Sequence, residues 1–166
     1  MFTKKSKGIS VLLLVIIILC SSLTACQSKA ELKMNATLTI SKLSDSDFQE
    51  IGTKNVTKDD FRKVKFSFDM ENCGKLSNRK ITIPELRGIM NAYDVERYWY
   101  GSSTKNDNVG ADYVLYSNDI MFYSKGLDNE GIKSVFKDAK INISWTDEGG
   151  KDTSDTINLS DIIIFN

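Results

Sequence analysis

The sequence predicts a mostly β protein, an antiparallel β-sandwich of about seven strands with one or two short helices. Apolar and polar residues alternate with a period of two in several short segments. Clusters of Gly, Asn, Asp and Ser separate those segments, as they do where strands are joined by turns. A single segment has the clear apolar periodicity of a helix, so helices are minor elements of the predicted fold.

The first half of the chain contains three predicted strands. Leu38 and Ile40 alternate with hydroxyl side chains in a segment that we expect to begin near Asn35. The clearest strand follows, with the alternating apolar residues Val64, Phe66, Phe68 and Met70. Ile81 lies in a third strand, which Pro84 ends because proline cannot donate a ladder hydrogen bond.

A polar loop and two strand-like runs follow in the second half. Residues 102–110 are polar and predict a long loop. Residues 113–123 predict two strand-like runs, because the polar residues at 117–119 interrupt the pattern as a turn or a bulge would.

The last two predicted strands form a closing hairpin. Residues 140–145 place Ile141, Ile143 and Trp145 on the inner face of one strand. Residues 156–165 form the other, in which a bulge at Ser160 and Asp161 would restore the apolar phase. The residues between these strands tolerate turn geometry, so we expect the two strands to pair antiparallel.

One segment clearly predicts a helix, and weaker helical signals occur elsewhere in the chain. Asn129 can cap a helix whose apolar stripe contains Ile132, Val135, Phe136 and Ala139. Residues 47–51 predict a further helical turn, and Thr57 with Asp60 resembles a capping pair. Residues 84–100 suit either a helix or a strand edge, and we favour a short helix that begins at Pro84 and is followed by a strand.

The N-terminus has the three parts of an export signal. Lys4, Lys5 and Lys7 precede an apolar run from Val11 to Cys20, which small polar residues follow. The run is about ten residues long, whereas a helix needs about twenty to cross a bilayer. We therefore expect residues 1–25 to be a removable signal rather than a transmembrane anchor.

The motif Leu23-Thr24-Ala25-Cys26 resembles the lipobox of bacterial lipoproteins. The resemblance implies that Cys26 carries lipid, that residues 26–34 form a tether, and that residues 35–166 form a single domain. Acyl chains such as palmitate would hold the protein on the outward face of a cell membrane, or of an outer membrane if the source has one. A tether of about eight residues reaches about 25 to 30 Å, so we expect partners at the membrane surface.

Charge and cysteine content exclude several classes of function. The chain has 22 basic and 22 acidic residues, and loss of the three signal lysines leaves 19 basic residues and a net charge of −3. An acidic domain lacks the excess of basic residues that binding to nucleic acid requires, so no nucleic-acid partner is predicted. Removal of Cys20 and lipidation of Cys26 would leave Cys73 without an internal disulfide partner, and we expect it to be an inert residue at a strand end.

The chain contains no histidine, which removes the usual general base and the commonest metal ligand. We therefore expect no catalysis, no cofactor and no metal. The acidic segment Asp147, Glu148, Asp152 and Asp155 does not have the spacing of a calcium loop and is interpreted as a solvated hairpin tip. The alternative function is a small envelope hydrolase that uses a pair of carboxylates.

The strand pattern, with a short helix before the penultimate strand, resembles the Ig-like modules of bacterial surface lipoproteins. That resemblance implies a sandwich that binds other molecules. Tyr98, Trp99 and Tyr100 are the candidate contact residues, because Tyr and Trp combine a flat apolar face with a polar group. Strand alternation predicts Trp99 inward, with Tyr98 and Tyr100 outward. The sequence thus predicts a membrane-anchored binding or scaffolding module for another envelope protein or a wall component.

Overall fold

The computed structural model describes residues 30–166. The signal and Cys26 lie outside the described residues. The chain divides into one unit at Met1–Glu31 and a second at Leu32–Asn166. All of the helices and strands of residues 30–166 belong to the second unit.

The described residues contain eight strands and three short helices. The strands are β1 (Lys33–Lys42), β2 (Phe61–Glu71), β3 (Ser77–Thr82), β4 (Tyr98–Asn106), β5 (Tyr113–Tyr123), β6 (Lys140–Thr146), β7 (Asp152–Asn158) and β8 (Ile163–Phe165). The helices are α1 (Asp45–Ile51), α2 (Leu86–Ala92) and α3 (Asn129–Val135). Single 3-10 turns at Lys58–Asp60 and Leu159–Ile162 precede β2 and β8.

The strands form two sheets. The larger has the order β4-β5-β2-β1-β8, and the smaller has the order β3-β6-β7. Every pair of neighbours is antiparallel except β1 and β8, which are parallel. The long central strands β1, β2 and β5 pair in continuous register, so side chains from all three align in rows across the larger sheet.

The main core lies between the two sheets. The larger sheet contributes Phe66, Phe68 and Phe122, and the smaller contributes Ile141 and Ile143, all of them buried. Helix α3 adds its own apolar stripe to the same core. Complete burial of one such side chain contributes about 1.5 to 3 kcal/mol, so this layer is the main source of stability.

A second, smaller core covers one end of the opposite face of the larger sheet, which we call the outer face. Leu43, Ile51, Phe61 and Met121 are buried there. Helix α1 contributes Ile51 to this core, and a capping box between Ser44 and Asp47 fixes the start of that helix. The remainder of the outer face carries mostly polar and charged side chains, apart from Leu115 of β5 and Ile164 of β8.

The predicted fold class is confirmed: the protein is mostly β, with two sheets around a shared core. The predicted closing hairpin is also present, as β6 and β7. The favoured order for residues 84–100, a short helix and then a strand, is confirmed by α2 and β4, but the helix begins at Leu86 with Glu85 as its cap and not at Pro84. The described residues contain one strand more than the expected seven, and β1 begins at Lys33, two residues before Asn35.

Three local predictions were wrong. Residues 113–123 form one continuous strand, because Ser117 and Asp119 pair in register with β2 and need no turn. Residues 102–106 belong to β4 rather than to a loop, because they pair with β5. The predicted last strand is divided by a 3-10 turn, so that β7 lies in the smaller sheet and β8 in the larger.

Helix α3 is capped by the side chain of Asp128, which accepts a hydrogen bond from the Gly131 N–H, and not by Asn129 as predicted. None of the helices in residues 30–166 has the length and apolar character needed to cross a membrane.

Candidate functional site

The aromatic residues at the start of β4 point in directions that strand alternation does not predict. Tyr98 packs against the main core, whereas Trp99 keeps 43% of its surface exposed. The cause is a bulge, because Tyr98 pairs with Phe122 and Tyr100 pairs with Met121, so Trp99 has no partner of its own on β5. The prediction that Trp99 points inward and Tyr98 outward was therefore wrong.

Trp99 and Tyr100 both contact the small core on the outer face. The Trp99 ring meets the buried Phe61 ring edge-on, with 5.5 Å between ring centroids. Tyr100 is half-buried, and its hydroxyl donates to Glu50 Oε2 at 3.3 Å. Burial, followed by the Glu50 charge, raises the pKa of Tyr100. Of the three candidate contact residues, Trp99 is therefore the one with a largely free surface.

Two further apolar side chains are exposed just before β4. Tyr93 is 41% exposed and Val95 is 51% exposed. We call Tyr93, Val95 and Trp99 the aromatic edge. Large apolar side chains are usually withdrawn from water, and those that remain exposed close together in a folded chain are typical of contact surfaces.

A buried arginine holds the backbone that carries this edge. Arg97 is only 3% exposed, and its guanidinium donates to the Asp94 carboxylate and, at 2.9 Å, to the Tyr123 carbonyl. The hydrogen bond from Arg97 holds the pKa of Asp94 below its ordinary value. Asn91 Oδ1 also accepts the backbone N–H groups of Arg97 and Tyr98, at 2.9 and 2.7 Å. Segment 93–98 is thus fixed at both its side chains and its backbone.

The open part of the outer face has two rows of polar side chains that run across the strands. One row consists of Thr104, Ser117, Ser67 and Thr37, on β4, β5, β2 and β1. The next consists of Ser102, Asp119, Lys65 and Thr39 in the same strand order. We call them the hydroxyl row and the charged row. Both line one groove with a volume of about 380 Å³.

The charged row of this groove lies next to a cluster of charges beneath α1. Lys63 Nζ lies 2.8 Å from Asp47 Oδ1 and 3.6 Å from Asp119 Oδ1. The hydrogen bond from Lys63, assisted by Ser44, lowers the pKa of Asp47 to about 2. These two carboxylates are therefore bridged by a lysine, and Asp47 is ionised at neutral pH, which is the reverse of what a general acid needs.

Cys73 belongs to a buried network at the other end of β4. Arg79 Nη1 lies 3.1 Å from Cys73 Sγ, and Arg79 Nη2 lies 3.0 Å from Asp107 Oδ1. The Tyr116 hydroxyl donates to the other oxygen of Asp107 at 2.6 Å. Burial raises the pKa of the Cys73 thiol, so the thiol stays protonated and is a poor nucleophile. Burial opposes ionisation of Asp107, but the bonds from Tyr116 and Arg79 still lower its pKa.

The acidic segment between β6 and β7 is organised as a turn. Asp147 Oδ1 accepts the backbone N–H groups of Gly149 and Lys151, at 2.8 and 2.9 Å. Asp152 accepts a hydrogen bond from the Thr146 hydroxyl at 2.6 Å. Within residues 30–166, no group of three or more His, Cys, Asp or Glu side chains is arranged to hold a metal ion.

No protein family, curated protein or solved structure matches this chain. The roles of its residues therefore rest on the geometry above. Reasoning from the sequence missed Arg97, Arg79, Lys63 and both polar rows. The alternating Ser and Thr residues were visible as the polar halves of strands, but only the pairing register shows that four hydroxyls from four strands form a line.

Proposed function

We propose that this protein is a binding module, anchored by lipid on Cys26 to the outward face of a cell membrane, which contacts another envelope protein through its aromatic edge. The observation that carries the proposal is the exposure of Trp99, together with that of Tyr93 and Val95, in a stretch of seven residues that the buried Arg97 helps to hold in place. Side chains fixed before binding lose little conformational entropy when a partner docks.

The composition of the edge favours a protein partner. Aromatic residues are enriched at the energetic centres of protein interfaces, where a few side chains supply most of the binding energy. The ordered edge also has a charged border, since Asp94 and Glu96 are exposed between its apolar members. An apolar centre with a polar rim is typical of such interfaces.

Photo-crosslinking in cells that express the full chain tests the proposal. A photoreactive residue replaces Val95, and the matched control carries it at Val109, which is fully exposed beyond the far end of β4. We expect a discrete crosslinked protein from position 95 and none from position 109. Equal patterns from both positions would show that the edge has no specific partner.

The anchor is tested separately from the edge. We expect Cys26→Ser to release the protein from the membrane fraction, because the thiol is the atom that takes the lipid. Mass spectrometry of the native protein should show an acylated residue 26 at the new N-terminus. An unmodified residue 26 would overturn the anchoring, while the crosslinking result at Val95 would still decide the role of the edge.

A further inference from the structure

We propose that the groove on the outer face binds an uncharged linear glycan, laid across the strands between the hydroxyl row and the charged row. This site is separate from the aromatic edge and does not depend on it. The inference rests on the shape of the groove, the chemistry of its walls and the pairing of its charges.

The shape fits a narrow chain. Neighbouring strands lie about 4.8 Å apart, so the four strands of the hydroxyl row span about 14 Å from Thr104 to Thr37. The Cα atoms of successive residues on one face of a strand are about 7 Å apart, so the Cα atoms of the two rows are separated by the same distance. The length of about 14 Å along the rows corresponds to about three sugar rings of an extended chain, roughly one ring over each gap between strands.

The walls offer hydrogen bonds rather than apolar contact. None of the four hydroxyls in the row has a hydrogen-bond partner elsewhere in residues 30–166, so each can donate and accept toward a ligand. Among the residues of 30–166 that line the groove, Phe66 is the one apolar member, and its side chain is buried in the main core on the other side of the sheet. A polyol offers the matching mixture of donors and acceptors.

The charges of the groove are paired, which argues for an uncharged ligand. Lys65 Nζ lies 3.9 Å from Asp119 Oδ2, and Lys63 bridges Asp119 and Asp47. An anion would meet these carboxylates, and a cation would compete with the two lysines. Carboxylates already held by lysines can still accept hydrogen bonds from vicinal sugar hydroxyls, because each oxygen has two acceptor positions.

Helix α1 borders the groove along the charged row, because it contacts Lys63 and Met121, the outer-face residues next to that row along β2 and β5. A second hollow of about 360 Å³ shares Ser102 and Asp119 with the groove and is lined also by Glu50 and the half-buried Tyr100. The ring of Tyr100 offers a flat wall against which a terminal sugar can stack. The groove is thus bounded on one long side by α1 and its hollow.

The test is a titration of the full chain with a tetramer of β-1,4-linked N-acetylglucosamine, followed by NMR and calorimetry. We expect shift changes centred on Ser67 and Ser117. The variant Thr37→Val, Ser67→Ala, Ser117→Ala, Thr104→Val keeps the strand shapes but removes the row, and it should weaken binding by at least tenfold. The control Thr82→Val, Thr153→Val removes two hydroxyls from the smaller sheet and should leave binding unchanged.

Several results would overturn the proposal. They are the absence of binding to this tetramer and to its β-1,4-linked glucose counterpart, unchanged affinity in the row variant, and shift changes that map to the smaller sheet. Trp99→Ala should leave glycan binding intact, so a failure of the aromatic edge and a failure of the groove are distinguishable. The amide spectrum of each variant shows whether it remains folded.

Discussion

Two buried arginines fix the two ends of β4, and they do so in different ways. At the start of the strand, Arg97 bonds to Asp94, Tyr123 and Lys125, all of which belong to the larger sheet or its adjoining segments. At the end of the strand, Arg79 of β3 reaches from the smaller sheet to Asp107 beyond β4. One arginine therefore orders a segment locally, and the other joins the two sheets.

The carboxylate partners of the two arginines differ in exposure. The side chain of Asp94 is 44% exposed, whereas that of Asp107 is 19% exposed and also accepts a hydrogen bond from Tyr116. Loss of Arg79 would leave the largely buried Asp107 carboxylate with one partner fewer. Loss of Arg97 would leave the Asp94 carboxylate, which water can reach. The comparison predicts that loss of Arg79 lowers stability more, while loss of Arg97 mainly frees segment 93–98.

The largest effect is expected at Arg79. The substitution Arg79→Met removes the guanidinium that joins the sheets, and we expect it to lower the free energy of unfolding by about 3 kcal/mol. Chemical denaturation measures the change. The control Lys80→Met, on the exposed face of the same strand, should stay within about 0.5 kcal/mol of the unsubstituted protein. Similar decreases in the free energy of unfolding for both variants would show that Arg79 stabilises the fold no more than a surface lysine does.

A smaller loss of stability, but a larger loss of partner capture, is expected at Arg97. Arg97→Met removes the bonds to two carbonyls without burying an unpaired charge, and should cost about 2 kcal/mol. Crosslinking from position 95 should disappear because segment 93–98 loses its support. The control Arg87→Met removes an exposed guanidinium that lies over the Tyr98 ring, and should keep the crosslink. Retention of the crosslink in Arg97→Met would contradict the display role.

Acid should weaken the attachment of α1 to the outer face. The folded-state pKa of Asp47 is about 2, below the ordinary value of 3.8, so its pair with Lys63 stabilises the fold above pH 3.8 and loses that contribution as pH falls toward 2. Partial exposure screens the pair, and we expect about 1 kcal/mol. A double-mutant cycle of Asp47→Asn and Lys63→Met, measured by denaturation at pH 7 and pH 2.5, isolates the interaction free energy of the pair at each pH. Additive effects at pH 7 would show that the pair contributes nothing.

An effect on stability as small as that of the Asp47–Lys63 pair is expected at Trp99. Trp99→Ala removes one edge-on ring contact with Phe61, which is worth about 1 kcal/mol, but it should abolish crosslinking from position 95. The matched control is Tyr113→Ala, which removes an equally exposed aromatic ring beyond the other end of β4. If both variants keep the crosslink, the contact surface lies elsewhere on the protein.

Several elements could be predicted because they depend on neighbours in the chain. The alternation of Val64, Phe66, Phe68 and Met70 specified a half-buried strand without any knowledge of its partners. The pair Thr57 and Asp60 forms the predicted capping box, since both halves lie within one turn. The hairpin between β6 and β7 follows from a turn whose hydrogen bonds all lie within residues 147–151.

The sites could not be predicted in the same way. The direction of Trp99 depends on a bulge against β5, and the burial of Arg97 and Arg79 depends on carbonyls 26 to 32 residues away in the chain. The hydroxyl row exists only because four strands pair in one register, and a shift of one residue in any strand would turn its hydroxyl into the core.

The sequence by itself determined the strand periodicity, the Thr57–Asp60 cap, the turn of the closing hairpin and the pattern that resembles a lipobox, because each of these depends on residues a few positions apart. The tertiary structure alone decided which sheet receives β7 and β8, which aromatic rings face water, and which polar side chains meet. Those outcomes depend on the pairing and packing of distant segments, where burial and hydrogen bonding act between residues that the order of the chain does not bring together.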